Sequence, residues 1–113
     1  MEKGQFEFKP GVLYKLTYAR VCRRDTIPKV VIGNFKEETK WNIEFSHTMR
    51  LDGYVEAGVT AFEWQDIKRV DPVSEYELDM WKRNTVDFMT KIIQRYGHDV
   101  CMEDVREVVR YVR

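Results

Sequence analysis

The spacing of apolar residues changes once along this chain, near Pro72, and that change restricts the fold more than any other feature. Side chains alternate faces along a strand with a period of two and return to one face of a helix every 3.6 residues. A chain that switches from the first period to the second builds strands and then helices. It also joins them at the switch, where proline disfavours continuation of a helix from the preceding residue.

Before Pro72 the pattern is that of short strands. Val12, Tyr14, Leu16 and Tyr18 alternate with Leu13, Lys15, Thr17 and Ala19, which predicts a first strand with one more apolar face. The turn material "RRDTIP" separates it from "KVVIGNF", a β-branched run in which Gly33 signals a bulge or a close backbone approach. After the polar "KEETK", the stretch "WNIEFS" directs Trp41, Ile43 and Phe45 one way and Asn42, Glu44 and Ser46 the other. A D-G turn in "RLDGY" precedes a fourth strand in "YVEAGVTAF", and "EWQDIKRV" reads as a tight turn holding Trp64 followed by a short strand from Ile67 to Val70. Such short strands with frequent turns predict a small, curved antiparallel sheet or barrel.

After Pro72 the period is helical. Ser74 and Glu77 in "SEYE" form a capping box, in which the serine oxygen accepts from the third amide of the helix and the glutamate reaches back to the cap. Leu78, Trp81, Thr85, Phe88, Ile92 and Tyr96, widened by Met89 and Ile93, make an apolar stripe that ends at Gly97. Asp99 can cap a second helix with Val105, Val108, Val109 and Val112 on its apolar face. The expected architecture is one α+β domain over 1–113: a β-rich half, 10–73, of five antiparallel strands, and a C-terminal helical hairpin, 74–113. From Val12 to Val73 the strand count, the hydrophobic pattern and the turn "FEWQDIKRV" resemble the SH3-like and Sm-like small barrels. That resemblance implies barrel closure. It implies no activity, because such barrels serve RNA binding, DNA binding, peptide recognition and structural roles alike.

Composition narrows the functional classes. The 19 Lys plus Arg balance 19 Asp plus Glu, so the whole molecule has no electrostatic reason to seek nucleic acid, a membrane or an acidic partner, and only a local patch can do so. Cys22 and Cys101 lie far apart and outside any zinc-ligand spacing, which favours a reduced, intracellular chain. No apolar run is long enough for a membrane span, and "MEKGQFEFKP" lacks the apolar core of a signal peptide, so a cytoplasmic location is expected.

Catalytic chemistry finds little to work with. His47 in "FSHTM" is placed by pattern at a strand end and reads as a loop histidine rather than a general base, while His98 after Gly97 reads as a helix-end cation. "HDVC" sets His98 and Cys101 three apart, a pair too sparse for a metal site, so no metal or cofactor is expected. The glycines form neither GxxxxGK nor GxGxxG, and no carboxylate pair lies in a segment that reads as a cleft. The expectation is a protein that is not an enzyme.

Two basic clusters remain. Arg20, Arg23, Arg24 and Lys29 surround the turn after the first strand with only Asp25 to offset them, and Tyr18 beside them offers a face for stacking a base. Arg106, Arg110 and Arg113 recur at helical spacing as a secondary anion-site candidate, but Glu103 and Glu107 each lie three residues before an arginine and can pair with it, which favours a solvated face. The resulting expectation is a non-enzymatic binding module for a phosphate-bearing ligand, a nucleic acid or small nucleotide. The rival is a small interaction or inhibitor protein, of phage or mobile-element type, acting on a host protein through Tyr14, Tyr18, Tyr54, Phe62, Trp64, Tyr76, Trp81 and Tyr111. The broad helical stripe also admits a homo-oligomer.

Overall fold

The computed structural model describes residues 1–56 and 58–96. The second helix expected after Gly97, with His98, Cys101, Arg106, Arg110 and Arg113, lies outside the described residues. The described elements are β1 (Leu13–Tyr18), a 3-10 turn (Val21–Arg23), β2 (Lys29–Glu38), β3 (Ile43–Arg50), β4 (Val59–Phe62), a second 3-10 turn (Trp64–Asp66), β5 (Ile67–Asp71) and α1 (Glu75–Tyr96). All strand pairs are antiparallel, in the order β4-β3-β2-β1-β5.

The long β2 organises the sheet, because it pairs with β1 along one edge and with β3 along the other. Opposite Gly33 the register slips. Ile32 faces Met49 and Asn34 faces Ser46, so His47 and Thr48 together oppose one residue, and His47 adopts φ 50°. This bulge reverses the facing of the strand's second half, sending Phe45 to one side of the sheet and Met49 to the other. A Cβ on Gly33 would meet Thr48 Cγ2 at 3.0 Å and Phe45 Cβ at 3.2 Å, so the close approach expected from the sequence is also present.

The two faces carry different cores. On one, Leu16, Val31, Phe35, Ile43, Phe45, Phe62 and Ile67 pack together, drawing on every strand. The sheet curls around them until Tyr18 of β1 meets Phe62 of β4 edge-on at 4.8 Å, although two strands separate β1 from β4 in the order. The curl stops short of the barrel closure that the sequence resemblance implied: among the described residues, β4 and β5 are the two edges and no ladder joins them. The chain crosses between them through the 3-10 turn, where Asp66 N–H bonds to Glu63 O at 3.0 Å and Asp66 O accepts from Ala19 N–H at 2.9 Å. A turn that uses its backbone groups in this way bridges the edges rather than pairing them.

On the other face Ile32, Met49 and Val55 receive Trp81 of α1. The helix begins as its capping box requires, with Ser74 N–H donating to Glu77 Oε1 and Glu77 N–H donating to Ser74 Oγ, both at 3.1 Å. Trp81 Nε1 donates to His47 O at 2.8 Å, so the bulge that turns β3 also supplies an anchor for the helix. One turn on, Asn84 Nδ2 donates to Gly53 O at 3.1 Å. Gly53 has φ +91° and Asn84 Nδ2 would lie 2.8 Å from a Cβ there, two reasons for glycine in the D-G turn. Solvent-side pairs Asp79–Arg83 and Asp87–Lys91 lie at the i, i+4 spacing. No helix among the described residues is long and apolar enough to cross a membrane.

The strand boundaries differ from the sequence reading in instructive ways. Trp41, expected to point inward with Ile43 and Phe45, precedes β3 and is 75 % exposed. Among the described residues of the apolar run "YVEAGVTAF", Val59–Phe62 form the strand, while Val55 makes an isolated bridge to Met49. His47 is not at a strand end but inside β3, only 2 % exposed.

Glu77 also links the helix to the sheet, since Lys15 Nζ lies 2.8 Å from its Oε2. The Lys15 ammonium, outweighing the cost of partial burial and helped by Ser74, holds the Glu77 carboxyl below its usual range. A carboxyl with a lower pKa in the folded state stabilises the fold above its unfolded-state pKa, and the contribution disappears as pH falls through the folded-state value. Replacing Glu77 with Gln should therefore cost about 0.5–1.5 kcal/mol at neutral pH, as for a lost charged hydrogen bond at a cap. The difference from wild type should vanish on acidification. Urea unfolding from pH 7 down to pH 3 measures this, and a pH-independent difference would assign the loss to packing instead.

Candidate functional site

The turn from Arg20 to Pro28 connects β1 to β2 and is built around two aspartates. Asp25 Oδ2 accepts from Arg20 N–H at 3.0 Å, and Asp66 Oδ1, reaching across from the second 3-10 turn, accepts from Val21 N–H at 3.0 Å. The backbone closes on itself as Arg23 N–H bonds to Arg20 O at 3.1 Å, Arg24 N–H to Val21 O at 3.0 Å and Asp25 N–H to Arg20 O at 3.1 Å. Arg24 ends the 3-10 turn in the left-handed region, φ 55° and ψ 37°, an uncommon conformation for a residue with a Cβ.

This framework divides the predicted cluster. Arg20 is engaged in the fold: its Nη1 donates to Ala61 O at 2.7 Å and lies 3.5 Å from Asp66 Oδ2. Its guanidinium carbon sits 4.5 Å from the Phe62 ring centroid and 5.4 Å from that of Tyr18. Tyr18 is half-buried, packed against the core and against Phe62, with the Arg20 cation over its ring. Arg20 and Tyr18 thus form the floor of the turn. Arg23, Arg24 and Lys29 are exposed, and none of them has an ion-pair partner among the described residues. Ile27, 77 % exposed, and Val21 stand among them.

The residue that sequence reasoning missed is Asp66. It is buried, holds the backbone of the turn through one carboxylate oxygen and faces Arg20 with the other. A polar residue in "EWQDIKRV" is indistinguishable in sequence from any solvated turn aspartate, and only the curl of the sheet brings it to Arg20.

Other candidate chemistry is laid out plainly. His47 lies within β3, only 2 % exposed, and its backbone O accepts from Trp81 Nε1 of α1. Buried polar residues around it pair locally, Asn34 with Ser46 at 3.3 Å and Thr48 with Thr60 at 3.2 Å. Cys22 is a free, exposed thiol, and among the described residues no three His, Cys, Asp or Glu side chains are grouped to hold a metal. Of the aromatics, Trp81 and Phe62 are core residues, whereas Tyr54 and Tyr76 are exposed, Tyr54 under the Arg50 guanidinium at 4.5 Å.

Comparisons with known protein families, with curated proteins and with solved structures find no match to this chain. The functional reading therefore stands on the geometry of the turn.

Proposed function

We propose that this protein is a non-enzymatic binding module whose β1–β2 turn takes a phosphate-bearing ligand, a single-stranded nucleic acid or a nucleotide. The observation that carries the reading is the set of exposed cations, Arg23, Arg24 and Lys29, unpaired among the described residues, on a turn held in shape by Asp25 and Asp66. A turn ordered before binding loses less conformational freedom on meeting its ligand, so more of the electrostatic attraction appears as affinity. Arg23 and Arg24 supply the phosphate contacts, Lys29 adds a point charge at the foot of β2, and Arg20 with Tyr18 supports them from below.

Replacing Arg23 and Arg24 together with Ala tests this. Anisotropy of a labelled single-stranded oligonucleotide should show affinity falling at least tenfold, and the slope of log affinity against log salt should shrink by about 1.4, close to 0.7 for each lost phosphate contact. The thermal midpoint should stay near wild type, because both side chains are exposed. Unchanged affinity and slope would overturn the proposal.

Ile27 supports a second reading, in which the same turn docks on a host protein as a phage or mobile-element inhibitor would, with the isoleucine entering an apolar pocket and the cations at its rim. Ile27→Ser separates the two, because it removes the apolar side chain without changing the charge: docking in an apolar pocket should be lost, while oligonucleotide binding should stay near wild type and fall only with the arginines.

A further inference from the structure

At the end of β1 farthest from the basic turn, a hollow of 710 Å³ opens between the N-terminal segment, the start of β1, the chain leaving β5 and the first turns of α1. Its walls are mostly apolar, Phe6, Leu13, Tyr14, Val73 and Leu78 among them, and its volume falls in the range of small-molecule sites. Phe6 and Tyr14 meet edge-on at 5.6 Å, and the Tyr14 hydroxyl is already engaged as an acceptor from Lys9 N–H at 2.8 Å, so the rings are held in place. The charges around the hollow are unequal in their commitments. Asp71 is bound by Arg69 Nε at 2.8 Å, and Glu77 on the helix is bound by Lys15 at 2.8 Å. Lys82, half-buried on the wall, has no ion-pair partner among the described residues.

A molecule suited to this site brings apolar surface for the walls and one negative charge for Lys82. A cation would meet the lysine with the neighbouring carboxylates already neutralised, and a neutral molecule would leave the ammonium unanswered. We propose that the hollow is a binding site for a small amphipathic carboxylate of the fatty-acid class, its chain lying against Leu13, Val73 and Leu78 and its head at Lys82.

Titration calorimetry of the full chain with hexanoate, octanoate and decanoate, each below its micellar concentration, tests the site. The expected result is one saturating site with affinity rising about fourfold per buried methylene. Decyltrimethylammonium should not saturate it, a comparison that needs no variant. Lys82→Gln, with its fold checked by circular dichroism, should weaken decanoate about tenfold while leaving decanol unchanged. Arg23→Ala with Arg24→Ala should leave decanoate binding intact, which separates this site from the basic turn. Failure of decanoate to saturate, equal binding of the cationic amphiphile, or indifference to Lys82→Gln would each overturn the assignment. So would saturation by an apolar peptide with a free C-terminal carboxylate where decanoate fails.

Discussion

Trp81→Ala should lower the unfolding free energy by about 3–5 kcal/mol, the usual range for deleting a large buried aromatic side chain. That is a large share of the 5–15 kcal/mol typical of a whole domain. Trp81 is 1 % exposed and is the member of α1 that enters the core formed by Ile32, Met49 and Val55. Two losses coincide. The cavity removes contacts from three sheet residues, and the missing indole N–H leaves His47 O without the donor that reaches it at 2.8 Å. His47 sits at φ 50° in the bulge, so the helix and the bulge restrain each other, and the variant should loosen both. Urea unfolding measures the stability, and amide exchange at Ser46–Met49 reports on the bulge. Trp81→Phe keeps most of the ring but not the donor, and should fall between wild type and alanine. A loss under about 1 kcal/mol for Trp81→Ala would mean that the helix is held to the sheet elsewhere.

Asp66→Ala is expected to cost about 2–4 kcal/mol, because it strands two partners at once. Val21 N–H loses its acceptor at 3.0 Å, and the Arg20 guanidinium loses its carboxylate while still pressed between the Phe62 ring and Ala61 O. Asp66→Asn retains an acceptor for Val21 but no charge and should cost about half as much. The second consequence is functional. Without Asp66 the turn carrying Arg23 and Arg24 keeps its charges but loses part of its shape, so the proposed anion affinity should fall although no cation has been removed. Faster amide exchange at Val21–Arg24, together with weaker oligonucleotide binding, is the expected pair of results. Preserved protection in the alanine variant would show that Asp25 alone orders the turn.

These two residues illustrate how differently the molecule is written in its sequence. Trp81 was legible as a core residue, because it lies on a helical apolar stripe whose start is marked by Ser74 and Glu77, and local hydrogen bonds then form that start as expected. The strands containing Leu16, Ile43 and Phe45 were legible for the same reason, as alternation reports which side of a sheet is buried. Asp66 was not legible, nor was the partition of the basic cluster. Whether an arginine is a ligand contact or a structural strut depends on what lies opposite it, and what lies opposite Arg20 is Ala61, Phe62 and Asp66, more than forty residues away along the chain.

The sequence by itself determined the class of fold, the number of strands, the switch from sheet to helix and the first turn of α1, all of which depend on neighbours within a few residues. The tertiary structure decided the rest. The bulge at His47 reverses the facing of β3 and so separates two cores that periodicity alone would merge. The curl of the sheet brings Asp66 under the β1–β2 turn and withdraws Arg20 from solvent, leaving Arg23, Arg24 and Lys29 as its exposed cations. Register and curl arise from side chains distant in sequence packing against one another, and a pattern with a range of a few residues carries no record of them.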